Sequence, residues 1–539
     1  MTGWFDPGVL ARTAVMLATA NVFGRHSDRR LIEALGSQPQ SSFDYSGQAA
    51  TDFWLDYASD VGDGWNSTYA VAEALGRPEL VLESPGGGVE RTPGGRVLVL
   101  GGDLVYPYPT RDAYATHTEV PYAAALSARA QRPDLFAIPG NHDWYDSLIA
   151  FSRGFCRPER GFAGCRTPQS RSYFALKLPQ DWWLCGVDLQ LGADFDEPQI
   201  QYFQSIERAM GPQAQVILCV PEPQWIYAVA YPRHASYQAR TLEYLEREVL
   251  KRPVRLFLTG DLHHYRRHTR DDGVHRVVCG GGGAFLHPTQ CPDVPKLNDG
   301  AVEQCVYPPK SVSAGLALRN LLFPFLNPRA AVLPALVYAL SAWFVSARLE
   351  VEDLATFGHG LQRALATAVQ DPFCGLWLLA VVAGLVFFTD THSRPYRILG
   401  GGLHAVVHLT AAFGLAWLAS RLTTSGMGLD YGAPLQLVVA GALTCIGGAV
   451  VGPLIVGLYL LASVTLFGRH YQEAYSSLRI EDFKCWLRLR IGRDGVLTAW
   501  VVGHDQVPRR WSAQVRPASV DPRASAPRVV DRFTVRPRS

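Results

Sequence analysis

Three short stretches hold the residues best able to do chemistry: "GGDLVY" at 101–106, "GNHD" at 140–143 and "GDLHHY" at 260–265. Together they offer Asp103, Asn141, His142, Asp143, Asp261, His263 and His264, and a fourth, "PEP" at 221–223, adds Glu222. Carboxylates, an amide oxygen and imidazoles from distant positions form the donor set of a metal site, and imidazoles suit Zn, Fe and Mn. Two ions about 3.5–4 Å apart can clamp a phosphate ester, lower the pKa of a bridging water and stabilise both attacking and leaving oxygens. Asp103 suits the bridging role, because Gly101 and Gly102 leave its approach uncrowded. Asn141 can ligate through its amide oxygen, and His142 can pass a proton to the leaving oxygen with Asp143 to orient it.

For these residues to meet, each must be presented from the end of a buried element. The apolar runs "RVLVL", "LFAIP", "WWLCGV", "QVILCV", "VRLFLT" and "HRVVC" read as strands, and residues 50–300 alternate them with polar loops and helical stretches. That is the pattern of an α/β domain. Four of the runs lead into Asp103, "GNHD", "PEP" and "GDLHH", which predicts a site at one edge of a sheet.

The order and spacing of these motifs resemble the calcineurin-like metallophosphoesterase superfamily, whose pattern runs D-x-H or D-x-G, G-D, G-N-H-D/E, a lone histidine and G-H-x-H. The resemblance spans roughly residues 50–300. It implies an α/β/β/α sandwich, two divalent or trivalent metal ions (Mn, Fe or Zn), and hydrolysis of phosphate mono- or diesters by a metal-activated hydroxide with Asp103 bridging. In "SDVGDG" the D-x-G form falls on Asp60-Val61-Gly62, with Asp63 the rival. The form G-D-x-x-Y ending at Tyr106 is similar to the purple acid phosphatase branch, where the tyrosine binds a ferric ion; a ring packed beneath the loop is the other reading. Two departures matter. Asp261 stands where the first histidine of G-H-x-H is expected, leaving His263 and an extra His264, and the carboxylate favours harder metals. No lone histidine follows "VILC"; Cys219 has the expected spacing, and Glu222, just beyond, is the preferred ligand because a thiol in an apolar run is buried and inert. A second metal site altered by these departures gives the alternative: a non-catalytic membrane sensor or assembly protein that binds phosphate compounds.

The length of 539 residues predicts two or three domains. A net charge of +2, with 18% charged and 48% hydrophobic residues, marks neither a nucleic-acid binder nor an acidic disordered chain. Ten cysteines without a C-x-x-C pair fit a reducing compartment, with Cys156 and Cys165 the candidate exception. The start of the chain lacks a basic region before its apolar stretch, and Arg12 interrupts that stretch, so Pro7 to Phe23 reads as a packed helix rather than a cleaved signal.

Past about residue 310, apolar segments at 330–347, 373–389, 403–419 and 434–467 read as membrane spans. Four spans are expected, five being the alternative, with a kink at Gly452–Pro453. The first connecting loop carries Glu350, Glu352, Asp353 and Asp371 against Arg348 and Arg363, whereas the next carries Arg394 and Arg397. The excess of basic residues in cytoplasmic loops puts the second loop, the catalytic domain and the C-terminus in the cytoplasm, on an integral protein of the cell (inner) membrane. The partition is then an N-terminal helical segment (1–48), a catalytic domain (49–310), a transmembrane domain (311–467), a small β-rich segment with a hairpin at Arg493-Asp494-Gly495 (468–510), and a disordered basic tail (511–539). The membrane block points to a phospholipid or lipid-linked substrate, a soluble nucleotide being the other choice, and oligomeric state stays open. "CGGGGAFLHPT" at 279–289 reads as a tight loop beside the site, and His404 and His408 as hydrogen-bonding or packing groups one helical turn apart.

Overall fold

The structure, a computed structural model, describes residues 1–19, 41–48, 51–84, 86–189, 194–233, 240–346, 349–390 and 392–537. The N-terminal helix runs Pro7–Thr19; its expected continuation to Phe23 lies outside the described residues. Two compact units emerge, one of Met1–Thr2, Arg12–Ala314 and Arg479–Ser539, the other of Gly3–Ala11 and Gly315–Leu478.

All six apolar runs are strands: Val97–Leu100, Asp134–Ala137, Trp182–Gly186, Gln215–Val220, Val254–Thr259 and His275–Cys279. They do not share one sheet. Strands 182–186, 215–220, 254–259 and 275–279 are parallel neighbours in an eight-stranded sheet. Strands 97–100 and 134–137 lie in a second eight-stranded sheet, parallel to Phe53–Ala58. Side chains alternate across the second sheet as the two-residue period requires. Val97 and Val99 join Leu55, Tyr57, Ile217 and Leu256 in a core shared by the two sheets, while Leu98 and Leu100 join Tyr69, Leu75 and Tyr122 on the other face. The chemistry therefore arises at strand ends of two sheets, a correction to the single edge expected. The strand "FWLDYA" at 53–58 is hidden in the sequence because its carboxylate breaks the apolar run; Asp56 is buried there in an ion pair with Arg488, 2.7 Å.

That ion pair marks the largest correction. Strands Lys484–Ile491, Leu497–His504 and Arg528–Val535 complete the second sheet, with 484–491 pairing antiparallel to 53–58. The segments expected as a separate β-rich piece and a disordered tail are thus part of the same unit as residues 53–307. Leu487, Leu489 and Ile491 enter the inter-sheet core. In the tail, Val529, Phe533 and Val535 are buried, and Arg528 and Asp531 pair with Asp505 and Arg267. An Arg-rich composition reads as solvated only when its carboxylate partners, far away in sequence, are out of view.

The second unit is helical. Among the described residues three helices are long and apolar enough to cross a membrane, Pro328–Val345, Arg394–Gly426 and Pro434–Leu466, and a fourth counts if the bent pair Phe357–Gln370 and Pro372–Phe388 is one span. Pro453, the expected kink, sits inside the continuous helix Pro434–Leu466. Gly448 and Gly452 let this helix approach closely: a Cβ on Gly452 would lie 2.3 Å from Pro334 Cβ, and one on Gly448 3.0 Å from Tyr338 Cβ. His408 hydrogen-bonds Tyr338 through Nδ1 (2.7 Å) and His404 through Nε2 (3.0 Å).

Candidate active site

The site is built on backbone that most residues avoid. Asp60, Asp103 and Asp261 each follow a strand, ending 53–58, 97–100 and 254–259, and each has a positive φ of 58°, 51° and 68°. A left-handed conformation costs an L-residue roughly 1–2 kcal/mol, less for Asp, whose short side chain bonds locally. Three strand ends share this conformation on an aspartate. The glycines of the motifs admit the carboxylates: a Cβ on Gly140 would lie 2.1 Å from Asp103 Oδ1, and one on Gly260 2.2 Å from Asp60 Oδ2. Backbone bonds from Asp60 N to Gly102 O (3.0 Å) and from Val61 N to Asp103 O (3.0 Å) lock two of the loops together.

At the centre stands the Tyr106 hydroxyl, 3.2 Å from Asp60 Oδ1, 3.3 Å from Asp103 Oδ2 and 3.0 Å from His263 Nε2. Asp60 also accepts the Asp261 amide, at 3.0 and 3.1 Å. Asp103 Oδ1 accepts the His142 amide at 2.9 Å. The Asp261 carboxylate accepts a short bond from Tyr227 Oη. His263 Nδ1 is 2.7 Å from the Phe285 carbonyl, so it carries the proton and leaves Nε2 a lone pair toward Tyr106 and Asp60. Asn141 donates through Nδ2 to Tyr145 Oη (3.0 Å), which leaves its Oδ1 buried without a hydrogen-bond partner. Glu222, half-buried in the loop after strand 215–220, is close enough to Asp261 and Asp103 to feel their charge.

Other expected site residues lie elsewhere. Asp143 does not touch the His142 ring. It turns inward to accept the amides of Gly140 (2.7 Å) and Leu104 (3.3 Å) and a short bond from Tyr114 Oη, so it braces the loops. Its place beside His142 is taken by the Pro107 carbonyl, 2.8 Å from His142 Nδ1. His264, fully buried, has Arg266, His287 and Lys310 as charged neighbours and joins none of the contacts around Tyr106. It lies in the bend before strand 265–269, with its amide on the Leu262 carbonyl (2.6 Å). Asp63 accepts the amides of Thr2 (2.8 Å) and Phe285 (3.1 Å), which leaves Asp60 as the aspartate in the cluster. Cys219 is fully buried, with its thiol held above the usual range by burial. Cys156 and Cys165 are free thiols. The glycine-rich loop at 280–284 is buried packing, its Gly282 and Ala284 amides bonded to the carbonyls of Ser59 and Asp60.

Electrostatics decide what the cluster lacks. Burial, then Asp103 and Asp261, holds Asp60 well above the usual carboxylate range; burial and Asp261 push Asp103 up to about 8, and burial raises Asp261. Glu222 rises to about 8 by burial and the charge of Asp261. Among the described residues none of the three aspartates forms an ion pair with Arg or Lys; His263 lies 3.5 Å from Asp60. Carboxylates this close and this buried cannot all ionise without cations. The donor chemistry, with the orphaned Asn141 oxygen, fits metal ions. Even so, among the described residues no three His, Cys, Asp or Glu side chains are gathered into a ready coordination sphere; the donors cluster instead on the tyrosine hydroxyl.

Four supporting groups escape the motifs. Tyr227 and Tyr145 orient Asp261 and Asn141. His287 stacks on His263, with centroids 3.8 Å apart and planes within 6°. Lys484, on a strand beyond the helical block, is buried with its ammonium on the Ala284 carbonyl; burial lowers it to about 8. Tyr145, next to "GNHDW", and His287, in the tight loop expected beside the site at 279–289, carry a sequence signal; Tyr227 and Lys484 carry none.

No protein-family model matches the chain, and no curated protein does. Among solved structures it is similar to GAP50, the anchor in the inner membrane complex of Plasmodium (13% identity, TM-score 0.31, 44% of this chain and 74% of that one). It is also similar to the purple acid phosphatase PPD1 from yellow lupin, Lupinus luteus, seeds (15%, 0.31, 50% of this chain and 48% of that one) and to PhoD (10%, 0.29, 46% and 59%). Likenesses this distant carry no argument about the chemistry of the site, which stands on its own geometry.

Proposed function

We propose that this chain is a membrane-anchored, metal-dependent hydrolase of phosphate mono- or diesters, its catalytic unit an α/β/β/α sandwich on the cytoplasmic face. The observation that carries the reading is the convergence of Asp60, Asp103 and His263 on the Tyr106 hydroxyl, with Asp261 donating its amide to Asp60 and no Arg or Lys ion pair among the described residues to neutralise the three aspartates. Asp60, Asp103, Tyr106, Asn141, Glu222, Asp261 and His263 are the donors that would hold two ions of Mn, Fe or Zn. When bound, such ions polarise the phosphoryl oxygen and provide a nucleophile at neutral pH. The chain supplies the rest. The Pro107 carbonyl fixes the proton of His142 on Nδ1 and leaves Nε2 to exchange a proton with the leaving oxygen. Burial lowers His142 to about 4, which keeps the ring neutral until substrate and ions alter its surroundings. Asn141, His142, Glu222 and Asp261, the half-exposed members, line the side from which an ester enters.

The absence, among the described residues, of a ready coordination sphere favours a second reading, a membrane sensor or assembly protein that binds phosphate compounds without turnover. Metal content, measured together with hydrolysis of aryl phosphate mono- and diesters by the purified protein and its Asp103→Asn variant, separates the two. Bound metal with turnover abolished in the variant supports the hydrolase. No turnover with Mn, Fe or Zn transfers the site to the binding reading.

A further inference from the structure

His263 is the imidazole on the Tyr106 hydroxyl, and a loop other than its own aims it. The Phe285 carbonyl holds its Nδ1 (2.7 Å), the Phe285 ring meets it edge-on with centroids 4.8 Å apart, and the His287 ring stacks on its face. Its amide donates to His287 Nδ1 (3.2 Å), and its carbonyl accepts the His287 amide (3.3 Å). These partners all belong to the loop 280–287. The direction of the Nε2 lone pair therefore follows from where that loop sits.

Two segments hold the loop. On one side its Gly282, Ala284 and Phe285 amides donate to Ser59 O (2.9 Å), Asp60 O (2.8 Å) and Asp63 Oδ2 (3.1 Å), in the motif loop after strand 53–58. On the other stand residues 480–485. The Cys485 amide donates to Gly281 O (2.9 Å), Ile480 O accepts the Leu286 amide (3.2 Å), and Lys484 Nζ donates to Ala284 O. The approach is close: a Cβ on Gly281 would lie 2.7 Å from Cys485 N. The peptide group between Ala284 and Phe285 is thus gripped at both ends by charged side chains, its carbonyl by Lys484 and its N–H by Asp63. Hydrogen bonds with one charged partner are roughly twice as strong as neutral ones. The next carbonyl along is the one that holds His263.

Lys484 is an unfavourable residue to place there on packing grounds. Alternation along strand 484–491 puts Cys485, Leu487, Leu489 and Ile491 in the inter-sheet core and Lys484 on the other face, where it is fully buried. Among the described residues its ammonium forms no ion pair; Asp482, Asp63 and Glu481 attract it from farther off, and Ala284 O is its hydrogen-bond acceptor. Removing an ammonium from water costs several kcal/mol, which one carbonyl does not offset. An unbranched apolar side chain would fill the same space without that cost.

We propose that Lys484 is a positioning residue of the metal site: with Asp63 it clamps the Ala284–Phe285 peptide group, so that Phe285 O keeps the proton of His263 on Nδ1 and its Nε2 lone pair on Tyr106 and Asp60. The inference rests on the metal-binding reading of the site. Its test compares the full chain in detergent with the Lys484→Met and Lys484→Arg variants at pH 7. Mn²⁺ affinity is read by titration calorimetry, the tautomer of His263 by ¹⁵N NMR of the metal-free, histidine-labelled chain with His263→Gln for assignment, and stability by thermal melts. Lys484→Met is expected to melt at or above the native Tm, to bind Mn²⁺ about 10–100-fold more weakly, and to divide the His263 proton between Nδ1 and Nε2. Lys484→Arg, which keeps a cation and its donors, should recover most of the affinity. Native affinity in Lys484→Met overturns the inference, as does an unmoved His263 tautomer. A Tm that falls together with the affinity, or a chain without a cooperative melt, also overturns it and makes Lys484 a structural residue. If the native chain takes up no Mn²⁺, the metal reading fails separately, and the His263 tautomer in the metal-free chains still decides whether Lys484 sets the ring.

Discussion

In the sheet unit the large side chains are inside, whereas in the helical unit the small ones are. Trp182, Trp183, Trp486 and Tyr57 are fully buried between and beside the sheets. Along Arg394–Arg421 the buried face is Gly401, Ala405, Ala412, Ala416, Ala419 and Ser420 with the two histidines His404 and His408, while Leu399 and Leu403 are 73% and 66% exposed. Water drives bulky apolar groups inward. A surrounding as apolar as Leu itself removes that drive, and close backbone approach through small residues takes its place. Buried charge differs likewise. The sheet unit gathers carboxylates at strand ends without an Arg or Lys ion pair among the described residues, while the helical unit pairs its buried Asp353 and Asp390 with Arg363 and Arg469 and buries a hydrogen-bonded chain of His404, His408 and Tyr338.

If this division is right, changes in one unit leave the other's property intact. The largest effect belongs to His142→Ala, expected to lower kcat by about 10²–10⁴-fold with metal content unchanged; a parallel loss of metal would make His142 a ligand rather than a proton carrier. Next, Arg488→Leu strands the buried Asp56 carboxylate and should cost about 3–5 kcal/mol. Removing both partners, with Asp56→Leu as well, should restore most of it, and thermal melts of the two variants decide. In the helical unit, Gly452→Leu drives a side chain into Pro334 and should cost about 1–3 kcal/mol of bundle stability while hydrolysis persists; lost hydrolysis would mean that the units are coupled.

The smallest effect is a pH dependence. Burial pushes the Asp103 and Glu222 carboxyls up to about 8, so between about pH 4 and pH 8 the folded metal-free chain holds protons that the unfolded chain has released. Stability should therefore fall as pH rises across that window. Added Mn²⁺ should raise Tm more at pH 8 than at pH 5, and an equal rise at both would remove these carboxylates from the metal site.

The sequence is legible where the signal is local. Apolar runs of four to six residues locate six strands, because burial on both faces leaves little room for polar residues. Glycines beside Asn141 and Asp261 locate the loops, because the missing Cβ at Gly140 admits the Asp103 carboxylate and that at Gly260 admits Asp60. Type and position point Asp143 and His264 to the site, but a loop's internal hydrogen bonds turn the first inward, and the tight bend at Leu262–His264 leaves the second buried outside the contacts around Tyr106.

By itself, then, the sequence determined the motif loops, six of the strands that lead to them and the apolar helices, since each depends on neighbours within a few positions. The tertiary structure decided that two sheets share the site, that strands 484–491, 497–504 and 528–535 belong with residues from before the helical block, and that Arg488 finds Asp56. Pairing across more than four hundred residues leaves no local trace, because a strand's side-chain alternation specifies which face is buried and not which strand lies beside it.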